Sequence, residues 1–267
     1  MEGIVSQKEI AAATAYENLH VPALFQQWAP RVTEAAQIQP GFRVLDVACG
    51  TGVLTRDAAL RAGKNGHAAG LDVSPGMLVV AKRLAPEVEW REGMAESLPF
   101  EAASFDAVIS QFGLMFFQDR ELALREMMRV LVPGGRMAIA VWDALKHSAA
   151  YPIEVALLER VVGEPAADAL RAPFLLGDQV ALTELFRGAG VASIEVTKHI
   201  GTACFPSIRT MVEADLRGWL PVMGVVLTEE QIARVLNEAE QVLGQFVTPR
   251  GTVEFDSPAL IVTGRKH

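Results

Sequence analysis

Cysteine is nearly missing: Cys49 and Cys204 are the only two in 267 residues. Two thiols cannot build a disulfide framework or a four-thiolate metal site, which fits a reducing, cytoplasmic setting. Long apolar runs are missing too. No stretch reaches the roughly 20 residues a membrane-spanning helix needs. The start, MEGIVSQKEI, has no apolar run behind a basic end, so it does not read as a signal peptide. Basic residues are the minority charge, 24 Lys and Arg against 32 Asp and Glu, for a net charge of −8. An acidic surface repels polyphosphate, and no basic run overrides it, so nucleic acid is not an expected partner. Internal repeats and low-complexity tracts are absent.

The residues present are those of a globular protein: 51% are hydrophobic and 21% charged, enough to drive collapse without staples. The length permits one large domain or two small ones, and no linker divides it. Residues 1–40 read as helical, interrupted by Pro22 and Pro30 and closed by a turn at Pro40-Gly41. Short buried β-like runs then alternate with helical patterns. Strands are predicted at 43–48, 67–73, 88–95, 105–112 and 136–142. Helices are predicted at 52–63, 75–85 and 119–131, with Pro133-Gly134-Gly135 stopping the last. Near-continuous apolar strands alternating with helices imply an α/β fold, a mostly parallel sheet covered on both faces. Further on, helical stretches at 148–163 and 178–188 precede a strand at 192–200. Helical sequence at 206–245 and a closing strand at 256–266 complete the chain. The 206–245 segment reads as a helical cap inserted before the last strand.

The strongest chemical signal is VLDVACGTG at 44–52, which ends a strand and opens a helix. Gly50 and Gly52 would let the backbone approach a ligand at the helix N-terminus. Asp46 lies near the strand's end. Asp72 ends the second strand, about 20 residues on, where a carboxylate can accept bonds from ribose hydroxyls. Charge discriminates between adenosine-type ligands. A carboxylate beside the loop would repel the pyrophosphate of NAD, whereas S-adenosylmethionine has no phosphate and carries a sulfonium and an ammonium. The dinucleotide pattern G-x-G-x-x-G also fails, because counting from Gly50 puts Thr55 at the third glycine position.

With these residues the chain resembles the class I S-adenosylmethionine (SAM)-dependent methyltransferases, particularly the ubiquinone/menaquinone C-methyltransferase-like branch. The family's acid-x-Gly-x-Gly-x-Gly reads here as Asp46, Ala48, Gly50, Gly52; alanine in the first place implies a residue that needs no glycine-only conformation. The likeness continues through GLDVSPGML (70–78), REGMAESLPF (91–100), FDAVISQFGLMFF (105–117) and RVLVPGG (129–135). It implies a Rossmann-like, seven-stranded, mostly parallel sheet with helices on both faces. In this reading 1–40 form an N-terminal helical lid, 41–143 the SAM-binding core, and 144–267 a substrate-side half of one domain.

The resemblance also implies roles. Asp46, Ala48, Gly50, Thr51 and Gly52 would surround the methionine part of SAM, and Asp72 would hold the ribose. Val73 and Met77 would pack near the adenosine, and Met94 and Ala95 would border the adenine. Gln111 and Phe112 would lie along the methionyl chain with Met115 nearby, and Tyr16 would close over the cofactor. Met94 stands where the family often has an aspartate. The implied reaction moves a methyl group from SAM to a small molecule, releasing S-adenosylhomocysteine. The alternative is a SAM-binding accessory protein without transfer activity.

FGLMFF (112–117) and Trp142 fall at the strand ends where an acceptor would sit, which favours an apolar or aromatic one. The cap at 206–245 reads as a substrate lid or a homo-oligomer contact. No metal-ligand cluster stands out. Of five histidines, His67, His199 and His267 are misplaced for the crevice, leaving His20 and His147 as the candidates for a general base. The acceptor, and whether O, N or C is methylated, stay open.

Overall fold

The computed structural model describes residues 5–267; residues 1–4 of the expected N-terminal helical segment lie outside the described residues. In chain order the elements are α1 (Gln7–His20), α2 (Ala29–Ala35), β1 (Arg43–Val47), α3 (Val53–Ala62), β2 (His67–Asp72), α4 (Pro75–Leu84), β3 (Glu89–Glu92), β4 (Phe105–Gln111), α5 (Arg120–Val130) and β5 (Leu131–Trp142). They continue with α6 (Tyr151–Val162), α7 (Glu164–Arg171), α8 (Gln179–Gly188), β6 (Ala192–Phe205), α9 (Ile208–Ala214), α10 (Leu220–Val222), α11 (Glu229–Val242) and β7 (Val253–Arg265).

All seven strands form one sheet in the order β3-β2-β1-β4-β5-β7-β6. The pairings from β3 through β5 are parallel. β7 runs antiparallel to β5: Gly134 and Gly135 exchange backbone bonds with Lys266 at 2.9 and 3.0 Å, while Asp143 donates to Pro258 at 3.1 Å. The switch between β1 and β4 leaves a crevice at the carboxyl ends of the strands, where α/β sheets of this kind bind ligands. Val44, Leu45, Val47, Val108, Ile109 and Ile139 are buried, as strands covered on both faces require.

The chain divides into two compact units. The first comprises residues 1–141, 178–199 and 260–267; the second comprises 142–177 and 200–259. In the first, side chains start the helices where the sequence supplies caps. Ser6 and Glu9 form a capping box on α1, Ser74 caps α4 ahead of Pro75, and Asp119 caps α5. Pro22 and Pro30 do not end the N-terminal helical run. A π-helical turn at Val21–Phe25 and a 3-10 turn at Gln26–Trp28 absorb the missing N–H, and Pro30 sits in the first turn of α2.

In the second unit, α6 packs against α7 and α11, and α11 against α9. The region 206–245 lies between β6 and β7 but is not one run of helix. A π-helical turn at Asp215–Trp219 and a loop after Met223 divide it.

Three other predicted boundaries move. Residues 148–163 form a shorter α6, and the unpredicted α7 follows it directly. β6 extends to Phe205. Pro133-Gly134-Gly135 does not form a turn outside the sheet. The helix already ends at Val130, and the tripeptide is an irregular stretch within β5, paired to Lys266. No described helix is long and apolar enough to cross a membrane.

Candidate functional site

The site is built on the first unit, where β1 meets α3. The chain leaves β1 through three left-handed residues: Ala48 at φ +59°, Gly50 at +54° and Gly52 at +85°. Ala48 therefore corrects the expectation drawn from its side chain. It does occupy a glycine-favouring conformation, at a cost of roughly 1–2 kcal/mol for an L-residue. Gly52 is required for a different reason than ligand approach. A Cβ there would lie 2.4 Å from the Trp90 indole, which comes from β3 and fills the space. At Gly50 the nearest atom to such a Cβ is Tyr16 Cε1 at 3.9 Å, so the α1 tyrosine lies over this loop.

Two aspartates frame the loop. Asp72, at the end of β2, accepts the Gly50 N–H on one oxygen and the Ser74 N–H on the other, each at 2.8 Å. Burial pushes its pKa up, and these backbone donors pull it back. Asp46 is 1% exposed. One of its oxygens accepts the Thr55 hydroxyl at 2.6 Å, and the other is buried without a partner. Burial pushes the Asp46 carboxyl up to about 8, against the opposing Thr55 bond, and the charge of Asp72 adds to the rise.

Other buried oxygens in this unit lack partners: Thr51 Oγ1, Gln111 Oε1 and Glu17 Oε2. The Gln111 amide is held by its other end, which donates to the Phe25 carbonyl at 3.1 Å. Buried acceptors without donors are costly, so a ligand rich in N–H and O–H donors suits the site. The ammonium and ribose hydroxyls of SAM are such donors, and its cationic end suits Asp46. The residues present therefore fit that cofactor.

β4 delivers the next group. Ser110 bonds the Val47 carbonyl at 2.7 Å, and a Cβ on Gly113 would fall 2.6 Å from Ala48 Cβ, so the β4 exit is pressed against the loop. Phe112 sits at φ +56° and packs against Phe25 and Trp28, with ring centroids 5.6 and 5.9 Å apart. Tyr16 stacks on Phe25 and His20 at 5.4 and 5.6 Å. Its hydroxyl pKa is raised by burial first, then by the charges of Asp72, Glu17 and Asp46. His20 has a buried Nδ1 without a partner, and burial lowers its pKa.

The adenosine-side residues follow Asp72. Gly93 N donates to the Asp72 carbonyl at 3.1 Å, which brings Met94 and Ala95 beside the end of β2. Val73 is 63% and Met94 48% exposed, while Ala95 is buried. Met77 lies in the first turn of α4, its N–H on Ser74 Oγ. Met115 is half-buried in a 3-10 turn beyond Gly113. In the second unit, His147 Nδ1 is 2.9 Å from the buried Asp143 carboxylate, which fixes the ring's orientation.

The sequence did not disclose the partners of this loop. Arg56 of α3 donates to Glu17 at 2.8 Å and to the Thr51 carbonyl at 2.7 Å, clamping α1 onto the turn. Trp90 and Thr55 were also missed. Only the adjacency of Glu17 to Tyr16 gave any signal.

A family model described as a methyltransferase domain matches residues 45–139. A demethylmenaquinone methyltransferase of Lactococcus lactis subsp. lactis is 32% identical over 206 residues, covering 70% of this chain and 82% of that protein. A 2-phytyl-1,4-naphtoquinone methyltransferase of Thermosynechococcus vestitus is 39% identical over 119 residues, covering 43% and 53%. The chain spans about half the length of several of the curated relatives it matches. Among solved structures, a phosphoethanolamine N-methyltransferase 2 of Haemonchus contortus superposes with a TM-score of 0.62 at 18% identity, over 99% of this chain and 61% of that one.

Proposed function

Because the chain belongs to the class I SAM-dependent methyltransferase family, we propose that it moves a methyl group from SAM to a small apolar or aromatic acceptor. The observation that carries this reading is the set of partnerless buried oxygens on Asp46, Thr51 and Gln111 around a loop tied to Asp72. Asp46, Thr51 and Gln111 would hold the amino-acid end of the cofactor, and Ala48, Gly50 and Gly52 would shape the turn beneath it. Asp72 would accept the ribose hydroxyls. Val73, Met77, Met94 and Ala95 would cover the adenine. The exposed Val73 and Met94 side chains would gain most from that contact. Met115 is assigned only by its place after Phe112. Tyr16, clamped through its neighbour Glu17, would exclude water.

When bound, SAM supplies an electrophilic methyl on a positively charged sulfur. The protein's part is alignment and a dry surround, which the Tyr16, Phe25 and Phe112 cluster provides. An acceptor that must shed a proton would find His20 in the same cluster, where burial lowers its pKa and disfavours the charged ring.

The names of the relatives make a reduced naphthoquinone ring the first acceptor to try, with methylation at carbon. The test is transfer of label from methyl-tritiated SAM to a reduced 2-prenyl-1,4-naphthoquinone. Ring-methylated product supports the assignment. SAM binding without transfer to this quinol or to any component of a metabolite extract favours the accessory-protein reading. Failure to bind SAM overturns both.

A further inference from the structure

At the opposite pole of the first unit, at the amino ends of β1, β4 and β5, lies an open cleft of about 590 Å³. Its walls include Gln37 from the turn after α2, Arg136 from β5 and Arg265 from β7. Because β7 runs antiparallel to β5, the end of one strand and the start of the other bring these two arginines together.

Among the described residues, the hydrogen bonds of the two guanidiniums go to uncharged oxygens. Arg136 donates to the Ala35 carbonyl at 2.8 Å and to Gln37 Oε1 at 3.0 Å. Arg265 donates to the Gly134 carbonyl and to the same Gln37 Oε1, both at 3.4 Å. Two cations thus share one neutral acceptor, on a residue that adopts a left-handed φ of +53°. Burial, and then the charge of Arg265, lower the Arg136 pKa; Glu195 acts in the opposite direction. The cleft's own carboxylates do not relieve the pair. Asp106 is bound by Arg43 through two side-chain bonds of 3.0 and 3.1 Å, and Glu34 is exposed. The third arginine, Arg61, is held by Asp57 at 3.0 Å. In a chain of net charge −8, two adjacent cations with no ion pair among the described residues, and only the longer-range charge of Glu195 acting on Arg136, stand out.

We propose that the Arg136–Arg265 cleft is a binding site for a small oxyanion, of the phosphate or carboxylate class, remote from the glycine loop. Two oxygens of one anion would take a donor from each guanidinium fork and replace the single amide oxygen they now share. The site stands or falls independently of the methyl-transfer assignment, because it uses no residue of the crevice.

The experiment is calorimetric titration of the full-length protein with inorganic phosphate, and separately with acetate, against sodium chloride of matched ionic strength. The expected result is saturable binding of at least one oxyanion and none of chloride. Arg265→Gln, at an exposed position, and Arg136→Gln should each weaken it by about tenfold or more, the loss expected for a charge-assisted bond. Arg83→Gln, on the exposed face of α4, should leave it unchanged. A preference for phosphate or for acetate identifies which source of oxyanion the cleft serves. If neither oxyanion binds above the chloride control, or if the folded Arg265→Gln protein binds as wild type does, the proposal is wrong.

Discussion

The Asp72 carboxylate accepts the backbone N–H of Gly50 at 2.8 Å, so the acid at the end of β2 braces the loop that follows β1. The same carboxylate is read as the ribose anchor, and the two roles are compatible because each oxygen has a second lone pair. Asp72→Ala should therefore weaken SAM about 10- to 150-fold, from the loss of bonds to a charged group worth about 1.5–3 kcal/mol. Asp72→Asn keeps one acceptor oxygen and should fall between the two. Calorimetry on the folded variants decides the matter; unchanged affinity in Asp72→Ala would remove Asp72 from the site.

Met94→Asp should tighten SAM binding. At 48% exposure a carboxylate at this position keeps contact with water, so it avoids the desolvation cost of a buried charge. A new bond to the adenine amine should contribute roughly 0.5–1.5 kcal/mol. The check compares SAM with an analogue lacking that amine. A gain for SAM alone locates the residue at the adenine edge, and equal changes for both ligands place it elsewhere.

Ala48→Gly should stabilise the fold by up to about 1 kcal/mol. It removes the strain of an L-residue at positive φ, less the entropy that glycine gains in the unfolded chain. Gly113→Ala should be strongly destabilising, because its Cβ would meet Ala48 Cβ at 2.6 Å. The double variant should recover part of that loss. Denaturant melts of the four proteins measure the coupling, and strict additivity would show that the contact is not what demands glycine at 113.

Ala48 also shows where sequence reading stops. Side-chain identity argued for an ordinary backbone, but the turn's φ is set by how β1, α3 and β4 meet. What was legible was local or periodic: buried strand runs, the glycine turn, and acids at strand ends. What was not legible was long-range. Trp90 occupies the space left by Gly52 and Gly70, Arg56 reaches Glu17 across two helices, and Pro133-Gly134-Gly135 stays in the sheet because Lys266 pairs with it. None of these leaves a pattern within a window of a few residues.

Acid groups in the second unit should make its stability fall as pH rises. Glu154 and Asp215 are both buried, and their carboxyls meet in a side-chain hydrogen bond that needs a proton on one of them. Burial pushes Asp215 up to about 7 and Glu154 well above its usual range, in the latter case with help from the Asp215 charge. Folded pKa values raised above the unfolded ones mean that the native state holds protons the unfolded chain has lost. The stabilisation is thus complete below about pH 4 and is lost as pH climbs through about 7. Glu154→Gln, which cannot ionise, should flatten the dependence of melting temperature on pH over that interval. An unchanged slope would mean that the pair does not govern it.

Asp46 gives the sharpest test of the cofactor assignment, because its proton should leave when a cation arrives. Without ligand the carboxyl titrates near 8, so at pH 7 it is mostly protonated. A bound ammonium and sulfonium favour the ionised form and pull that pKa back down. Binding at pH 7 should then release close to one proton from Asp46, and almost none at pH 9, where the group is already ionised. SAM affinity should correspondingly rise as pH approaches about 8, and fall above it as the ligand's own ammonium loses its charge. The ligand's own amine titrates near 7.7–8.0 as a typical α-amino group, so raw proton counts mix two sources. Asp46→Asn separates them, since it is close to isosteric and cannot titrate. Calorimetry at pH 7 in buffers of different ionisation enthalpy gives the number of protons released by each protein. The wild type should exceed Asp46→Asn by nearly one. Equal proton release in the two would mean that Asp46 does not face the cationic end of the cofactor.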